Sequence, residues 1–556
     1  MTYDLKSVKM PKLGTAALRA LVALAENRVV GPPLINKLMS DGGLTRIREL
    51  TPDEVPTFYP NLAADDPDVP SLIPATEPIE QPRGFRFPGV TDFARAYRSG
   101  ASSPVKAAER FLEQLDRSEQ DGKPLRAFIA VHRDDVMAQA RESEKRWRAG
   151  APLSPFDGVP VAVKDEIDQA GYPTTVGTKF IGAAPATEDA TVIARLRAAG
   201  ALLVGKANMH EIGINVTGLN PHHGTTRNPY NDDFHTGGSS SGPATVVASG
   251  LAPVAIGADG GGSIRIPSAF CGLVGIKATF GRLSEHGAYP LCWTVGFLGP
   301  MTGSVIDCRM AYALMAGADP RDPNTLGAPP VSLDSAPPAS LKGVRLGVYW
   351  PWFRHATPEV VSHCEALVRS LVDRGATLHE IEIPELDASR VAHIVTILGE
   401  MSSSMRRHYK EHRTDFSLDA RINLASAFSF SDADYVNAQR IRTRARAHWA
   451  VAFANVDAIV TPATGQTAPR INPAAQPFGE SDLSTSMEIM RFAFVSNFTG
   501  HPAISFPAGY GANNLPIGLQ VVGRPWAERL LFRIANVAEQ IVERRAPARW
   551  YPLLDG

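Results

Sequence analysis

An α/β fold, a β-sheet with crossover helices, is what this chain predicts, and two observations predict it. From Phe156 to Met315, short apolar runs (Val159 to Val163, Ala201 to Val204, Pro253 to Ile256) alternate with helical stretches such as Ala190 to Ala199. That is the pattern of strands joined through helices. Apolar residues make up 44% of the 556 positions and charged residues 20%. This is ample material for a core, and the wrong composition for a disordered chain, a collagen or a coiled coil. At about 150 residues per domain the length suggests three or four domains, although a large α/β protein can spend the same length on one sheet with insertions.

Residues 1–85 read as an accessory segment, mainly helical. Thr15 to Glu26, Pro33 to Met39 and Leu44 to Leu50 carry helical pattern, separated by Gly31-Pro32-Pro33 and Gly42-Gly43. A Pro- and Asp-rich connector runs from Pro56 to Pro88, composition that breaks regular structure. The main unit is expected over residues 86–556. It opens with helical pattern from Val90 to Ala149, charges spaced along a solvated face, and enters the alternating region at Phe156. A Pro-, Ala- and Ser-rich break falls near residues 328–340. Beyond it Val344 to Tyr349 reads as a strand, Pro358 to Arg374 as a helix and Thr377 to Ile383 as a strand. Asp387 to Phe453 is largely helical. Strand-like runs return at Ala458 to Val460, Ala503 to Phe506 and Gly518 to Val522, before a last helix from Glu528 to Arg544.

Lys and Arg number 56 against 57 Asp and Glu, a net charge of -1. The balance argues against a nucleic-acid partner, which needs a basic footprint, and against an acidic solvating tail. Cys271, Cys292, Cys308 and Cys364 form no CxxC pair, so neither a disulfide framework nor a zinc knuckle is expected, and the four read as thiols in a reducing compartment. No uninterrupted run of about 18 apolar residues is present to span a membrane. Lys6, Lys9 and Lys12 precede Ala16 to Ala25, which ends in a signal-peptidase-like Ala23-Leu24-Ala25. Arg19 interrupts that run, however, and Leu18, Leu21, Val22 and Leu24 suit an amphipathic docking helix. A cytoplasmic protein with no stable membrane insertion is expected.

The chemistry concentrates in Gly237-Gly238-Ser239-Ser240-Ser241-Gly242 and Asp259-Gly260-Gly261-Gly262-Ser263-Ile264-Arg265-Ile266-Pro267. Glycine lets a backbone take special torsions and lets N–H groups approach a ligand with no side chain between. Gly260, Gly261, Gly262 and Ser263 can thus aim several amides at one anionic oxygen, an oxyanion hole, with Ser263 beside the oxygen. A flexible Gly/Ser linker does not fit, because apolar segments flank the serines (Val246 and Val247, Val254 to Ile256) and Arg265 and Pro267 follow at once. Gly238-Ser239-Ser240-Ser241-Gly242 also matches the G-x-S-x-G elbow, which would make Ser240 the nucleophile. That motif needs a buried strand before it, and the polar turn Asn231 to Thr236 stands there instead.

A serine nucleophile needs a base. His210, His235 and His286 are the nearest histidines, and no spacing singles one out. Lys164 ends the apolar strand Val159 to Val163, where burial favours a neutral amine that can accept a proton. An ion pair with Asp165, Glu166 or Asp168 would keep it charged, and from local sequence the two readings stand level.

These residues resemble the amidase signature family, whose Ser–Ser–Lys triad has a cis peptide at the middle serine. The run from Gly238 to Ser268 fits the family's long signature through the serine cluster, Gly242, Asp259, Gly261, Ser263, Arg265 and Pro267. The spacings suit it too, with 75 residues from Lys164 to Ser239 and 24 from Ser239 to Ser263. Phe156 to Pro160, Gly205 to Met209, Thr499 to Ala503, Leu515 to Gln520 and Glu528 extend the likeness over roughly residues 90 to 545. The resemblance implies a large mixed sheet flanked by helices, Ser263 as nucleophile, Ser239 relaying its proton to Lys164 and later to the leaving amine, and no metal or organic cofactor. It implies that Asp259 and Arg265, with Ser240 behind the serines, fix the glycine loop. Met209, Thr236, Gly237 and Gly238 are the expected substrate contacts.

Two departures from the family stand out. Gly260 occupies a position where many members carry Thr or Ile, so a freer loop and a wider acyl site are expected. Residues 1–85 have no counterpart in the family core; packing on the sheet's exterior is the plainest expectation, with a cap over the substrate funnel or a dimer interface as other uses. Three functions follow from the resemblance. The first is a stand-alone hydrolase of a small-molecule amide, anilide or carbamate (an aryl acylamidase or urethanase, with side esterase activity), leaving room for a homodimer. The second is the glutamine-hydrolysing component of a tRNA-dependent amidotransferase. The third is a lipid-amide hydrolase, which ranks last because one short helix containing Arg19 gives little apolar area for an anchor.

Overall fold

The computed structural model describes residues 3–62, 83–331 and 340–554. The middle of the Pro-rich connector, residues 63–82, and most of the expected break, residues 332–339, lie outside the described residues. Eleven strands of the described residues form one sheet. They are β1 (Phe128–Ala130), β2 (Pro160–Lys164), β3 (Leu202–Ala207), β4 (Val254–Ala258), β5 (Val274–Lys277), β6 (Leu298–Thr302), β7 (Arg345–Val348), β8 (Thr377–Glu380), β9 (Ala458–Pro462), β10 (Ala503–Tyr510) and β11 (Pro516–Gly523). Their order is β1-β3-β2-β4-β6-β5-β10-β11-β9-β7-β8. The stretches β3-β2-β4 and β9-β7-β8 are parallel, and antiparallel pairs through β6, β5, β10 and β11 join them. The sheet is therefore mixed, as expected.

Every residue of β2, β3, β4 and β9 is buried. Strands covered on both faces read as continuous apolar runs rather than alternation, which is why these were visible in the sequence. β5 and β6 were not: Gly275, Gly299 and Pro300 dilute their apolar signal, and pairing with β4 and β10 makes them strands. The helical reading of Val90 to Ala149 also changes. Three helices, Val90–Ser99, Pro104–Gln120 and Arg133–Arg148, are interrupted by the short edge strand β1.

The accessory helices Thr15–Ala25 and Gly31–Asp41 do form and pack on other helices, while the segment meets the sheet through Leu5, which joins a cluster with Ile459, Ala503 and Val522 of β9, β10 and β11. Leu18, Val22, Ile35 and Met39 close an apolar cluster with Leu418 and Ile422 of the helix Leu418–Ala427. Ile47 packs among Val391, Val395 and Ile441 of the helices Leu386–His412 and Asp432–Ala452. Arg48 holds Asp434 through Nε at 3.1 Å and a terminal nitrogen at 3.0 Å. The segment thus extends a helical layer. Among the described residues no helix is long and apolar enough to cross a membrane.

Leu18 is fully buried. Leu18→Ala should cost about 2–5 kcal/mol, read as a lower urea midpoint and faster amide exchange across Thr15–Ala25. An unchanged midpoint and exchange rate would contradict this docking.

Candidate active site

The register Val163↔Ile256 sets the end of β2 against β4. Lys164 therefore leaves the sheet at a carboxyl edge, where open α/β sheets hold ligands. Its Nζ lies 2.8 Å from Ser239 Oγ, 3.2 Å from the Ala258 carbonyl oxygen and 2.8 Å from Glu166 Oε2. Both sequence readings of Lys164 thus find a contact, and Glu166 is the carboxylate partner; Asp165 faces Lys206 at 3.8 Å instead. The Gly238–Ser239 peptide is cis. Ser240 Oγ donates to the Ala258 carbonyl at 3.0 Å and accepts the Ala258 amide at 3.2 Å. It is committed to the β4 backbone, which leaves the elbow reading without a free hydroxyl. The Ser240 amide donates to the Ser263 carbonyl at 3.2 Å, so Ser263 sits one backbone bond from the residue that follows Ser239. Lys164, Ser239 and Ser263 are all buried.

Asp259 and Arg265 form a fully buried ion pair with two guanidinium contacts of 3.0 Å. Burial pushes the Asp259 carboxyl up, but Arg265, Asn497 and the Gly262 amide outweigh it and hold the group well below the usual carboxylate range. Arg265 also reaches the Ala493 carbonyl, Ser496 and Gln520 at 3.0, 2.8 and 2.6 Å. The Gly262 amide donates to Asp259 Oδ1 at 2.6 Å. Of the four amides expected to face an oxyanion, Gly262 is therefore already engaged, whereas those of Gly260, Gly261 and Ser263 have no intramolecular acceptor among the described residues.

Each of these three amides belongs to a peptide whose carbonyl accepts a hydrogen bond. Asn497 Nδ2 donates to the Asp259 carbonyl at 2.7 Å, His393 Nε2 to the Gly260 carbonyl at 2.8 Å, and the Ile266 amide to the Gly262 carbonyl at 2.7 Å. Polarising the carbonyl strengthens the N–H across the same peptide as a donor. A carbonyl only accepts, so the His393 proton sits on Nε2. Burial lowers its pKa to about 4, which leaves the ring neutral near pH 7. His393 and Asn497 escaped the sequence reading because neither belongs to a local motif.

Gly262 has φ 119°, and a Cβ there would lie 2.5 Å from Ile266 Cδ1, so only glycine fits. The expected freedom at Gly260 is not found. A Cβ there would lie 2.9 Å from Cys292 Sγ and 3.1 Å from Ile397 Cδ1; these side chains fill the space a larger residue would take, and His393 pins the carbonyl.

Met209 is buried in an apolar cluster with Ile212, Leu291 and Met401. Thr236 Oγ1 bonds Thr226 Oγ1 at 2.8 Å. A Cβ on Gly237 would meet Phe270 at 2.9 Å, and one on Gly238 the Gly218 amide at 2.8 Å. The His210 amide donates to the Ser239 carbonyl at 3.1 Å, while its Nε2 is 3.3 Å from Asp419; His286 is 3.8 Å from Glu188, and burial lowers the pKa of His235 to about 3. All four thiols are free. A cavity of about 270 Å³ reaches Glu166, Gly260 and Cys292, with Glu285 and Tyr59 also on its walls. Met490 lies against Gly261, beside a narrow cleft of about 20 Å³ in which Leu5, Val8, Ile394, Met487 and Phe494 alternate with Lys6, Arg390, Glu488 and Arg491.

A family model described as Amidase matches residues 109–532. The chain is 38% identical over 587 residues to a fatty acid amide hydrolase of Oryza sativa subsp. japonica, covering 100% of this chain and 96% of that protein. It is 35% identical over 477 residues to a glutamyl-tRNA(Gln) amidotransferase component of Symbiobacterium thermophilum, covering 81% of this chain and 96% of the other. Among solved structures, the peptide amidase of Stenotrophomonas maltophilia superposes with a TM-score of 0.70 at 29% identity, over 83% of this chain and 98% of that one. A bacterial aryl acylamidase superposes with a TM-score of 0.73 at 27% identity, over 82% and 96%.

Asp259→Asn strands the Arg265 charge and should cost about 3–5 kcal/mol, measured by thermal unfolding. Because the folded-state pKa of Asp259 is depressed, the wild type should shed this stabilisation progressively below about pH 4 and the variant should lack that loss. Gly260→Ala should cost about 1–3 kcal/mol by overpacking, and Cys292→Ala in the same chain should recover most of it. No recovery would mean that Cys292 does not fill the space.

Proposed function

Because the chain belongs to the amidase signature family, we propose that it hydrolyses amide C–N bonds through an acyl-enzyme on Ser263. One observation carries the reading: the 2.8 Å contact between Lys164 and Ser239 beside a loop with three unengaged amides. Ser263 Oγ attacks the carbonyl carbon and gives its proton to Ser239, whose own proton passes to a neutral Lys164. The amides of Gly260, Gly261 and Ser263 bind the oxyanion. Ser239 then protonates the departing nitrogen, which an amide requires to leave, as the C–N bond breaks. Water attacks the acyl-serine, releases the acid and returns the proton to Ser263.

A long-chain acyl amide is the substrate class that the likeness supports best. Similarity to fatty acid amide hydrolases runs through the whole chain, accessory helices included, while the amidotransferase component matches 81% of it. A lipid substrate needs no membrane anchor. Anilides and carbamates form the second class, favoured by the likeness to an aryl acylamidase. An acyl-serine route also supports side hydrolysis of esters.

Mass spectrometry of a panel tests this: a long-chain acyl amide, its acetyl counterpart, an anilide, an aryl carbamate, an ester and glutamine. The long-chain amide should turn over fastest and Ser263→Ala should abolish all turnover with folding intact. Lys164→Ala should lose about 10²–10⁴-fold on amides. Retained activity in Ser263→Ala would reject the nucleophile, and cleavage of glutamine alone would favour the amidotransferase reading.

A further inference from the structure

Glu166 has no part in the relay just described, yet it makes one of the shortest contacts at Lys164. Three groups surround Lys164 Nζ: Ser239 Oγ, the Ala258 carbonyl and the Glu166 carboxylate, at 2.8, 3.2 and 2.8 Å. The last two only accept hydrogen bonds; the serine hydroxyl both donates and accepts. A neutral lysine amine has two N–H groups and one lone pair. Donating to Ala258 and Glu166 uses both N–H groups and leaves the lone pair for the Ser239 hydroxyl. After Ser239 hands over its proton, the ammonium donates to all three partners, and no side chain has moved. The carboxylate also neutralises the charge that appears.

Resting on the Ser263–Ser239–Lys164 reading, we infer that Glu166 is the positioning residue of the relay: it orients the Lys164 amine toward Ser239 and balances the ammonium formed when Ser239 is deprotonated. No further bond is made or broken, since the proton moves between Ser239 and Lys164 only. The role parallels that of the carboxylate that orients a histidine base in other serine hydrolases.

Glu166 is held for this. Its carbonyl accepts the Tyr289 amide at 2.7 Å, and its side chain borders the 270 Å³ cavity. Other charged and titratable groups face it from every side. Lys206 on β3 takes Asp165, leaving Glu166 to Lys164. Glu285 and Cys292 approach along the segment that walls the cavity, with Asp322 beside them and Glu400 on the helix Leu386–His412. Burial, then Asp322, Glu400 and Glu166, push the Glu285 carboxyl well above the usual carboxylate range. Among these carboxylates the ion pair to Lys164 is made by Glu166.

The test is the pH dependence of amide hydrolysis by Glu166→Gln, which keeps shape and loses charge. Without the carboxylate the ammonium is less favoured and the neutral amine persists to lower pH. The acidic limb of kcat/KM should therefore move down by about one to three pH units. The plateau kcat should fall about 10–100-fold with KM within about twofold, because the lost interaction forms mainly in the transition state. Glu166→Asp, which restores the charge, should return the limb to its wild-type position. Glu166→Ala, which demands no extra space, replaces the Gln variant if that fails to fold. A limb that stays in place in Glu166→Gln, whether or not kcat falls, overturns the inference and leaves Glu166 a packing role. Ser263→Ala is measured alongside: an active Ser263→Ala overturns the relay itself, whereas an inactive Ser263→Ala with an unmoved limb in Glu166→Gln overturns the role of Glu166 alone.

Discussion

Two full charges sit in the interior at Asp259 and Arg265, and on their mutual satisfaction the glycine loop and the elements around it depend. Burying either alone would cost several kcal/mol. Paired, Asp259 accepts from Arg265, Asn497 and the Gly262 amide, and Arg265 spends its remaining donors on Ala493, Ser496 and Gln520. One ion pair therefore ties the end of β4 to the helix Phe494–Thr499 and to β11. It also decides which amides are free. By consuming Gly262, it fixes that part of the loop and leaves Gly260, Gly261 and Ser263 as the amides with no acceptor among the described residues.

The two halves of the site solve opposite electrostatic problems. In the proposed reaction the glycine loop stabilises a negative oxygen, and it introduces no cation that would hold a product carboxylate. It uses neutral donors whose carbonyls are polarised from behind, and the low pKa of His393 keeps even that ring uncharged. Around Lys164 the Ala258 carbonyl and Glu166 only accept hydrogen bonds, and the Ser239 hydroxyl can either donate or accept. A network satisfied before and after proton transfer needs little reorganisation, which is how preorganised polar sites act in a low dielectric.

The accessory segment reaches the site indirectly. Its helices extend the helical layer of residues 386–452, and the same layer supplies His393 to the glycine loop and Ile397 to the space beside Gly260. Tyr59, near the end of the described part of that segment, lines the cavity that Glu166 also borders. Packing in the periphery and geometry at the glycine loop are thus joined through one long helix.

What the sequence determined by itself was local. The buried strands showed as apolar runs because both of their faces are covered; the serine and glycine clusters showed because their composition is incompatible with ordinary elements; Lys164 showed because it terminates such a run. The resemblance to a family supplied the relation between these pieces. What only the tertiary structure decided was every partner from a distant segment. β5 and β6 are strands through pairing, not through their own composition. The choice of Glu166 over Asp165 depends on Lys206 occupying the latter. Gly260 looks permissive in sequence and is confined in space by Cys292 and Ile397. His393 is an ordinary histidine in a helix until the fold brings it to the Gly260 carbonyl, more than a hundred residues away in the chain. Hydrogen bonds act over about 3 Å whatever the sequence separation, and the pattern of neighbours along the chain cannot encode which distant atoms will meet.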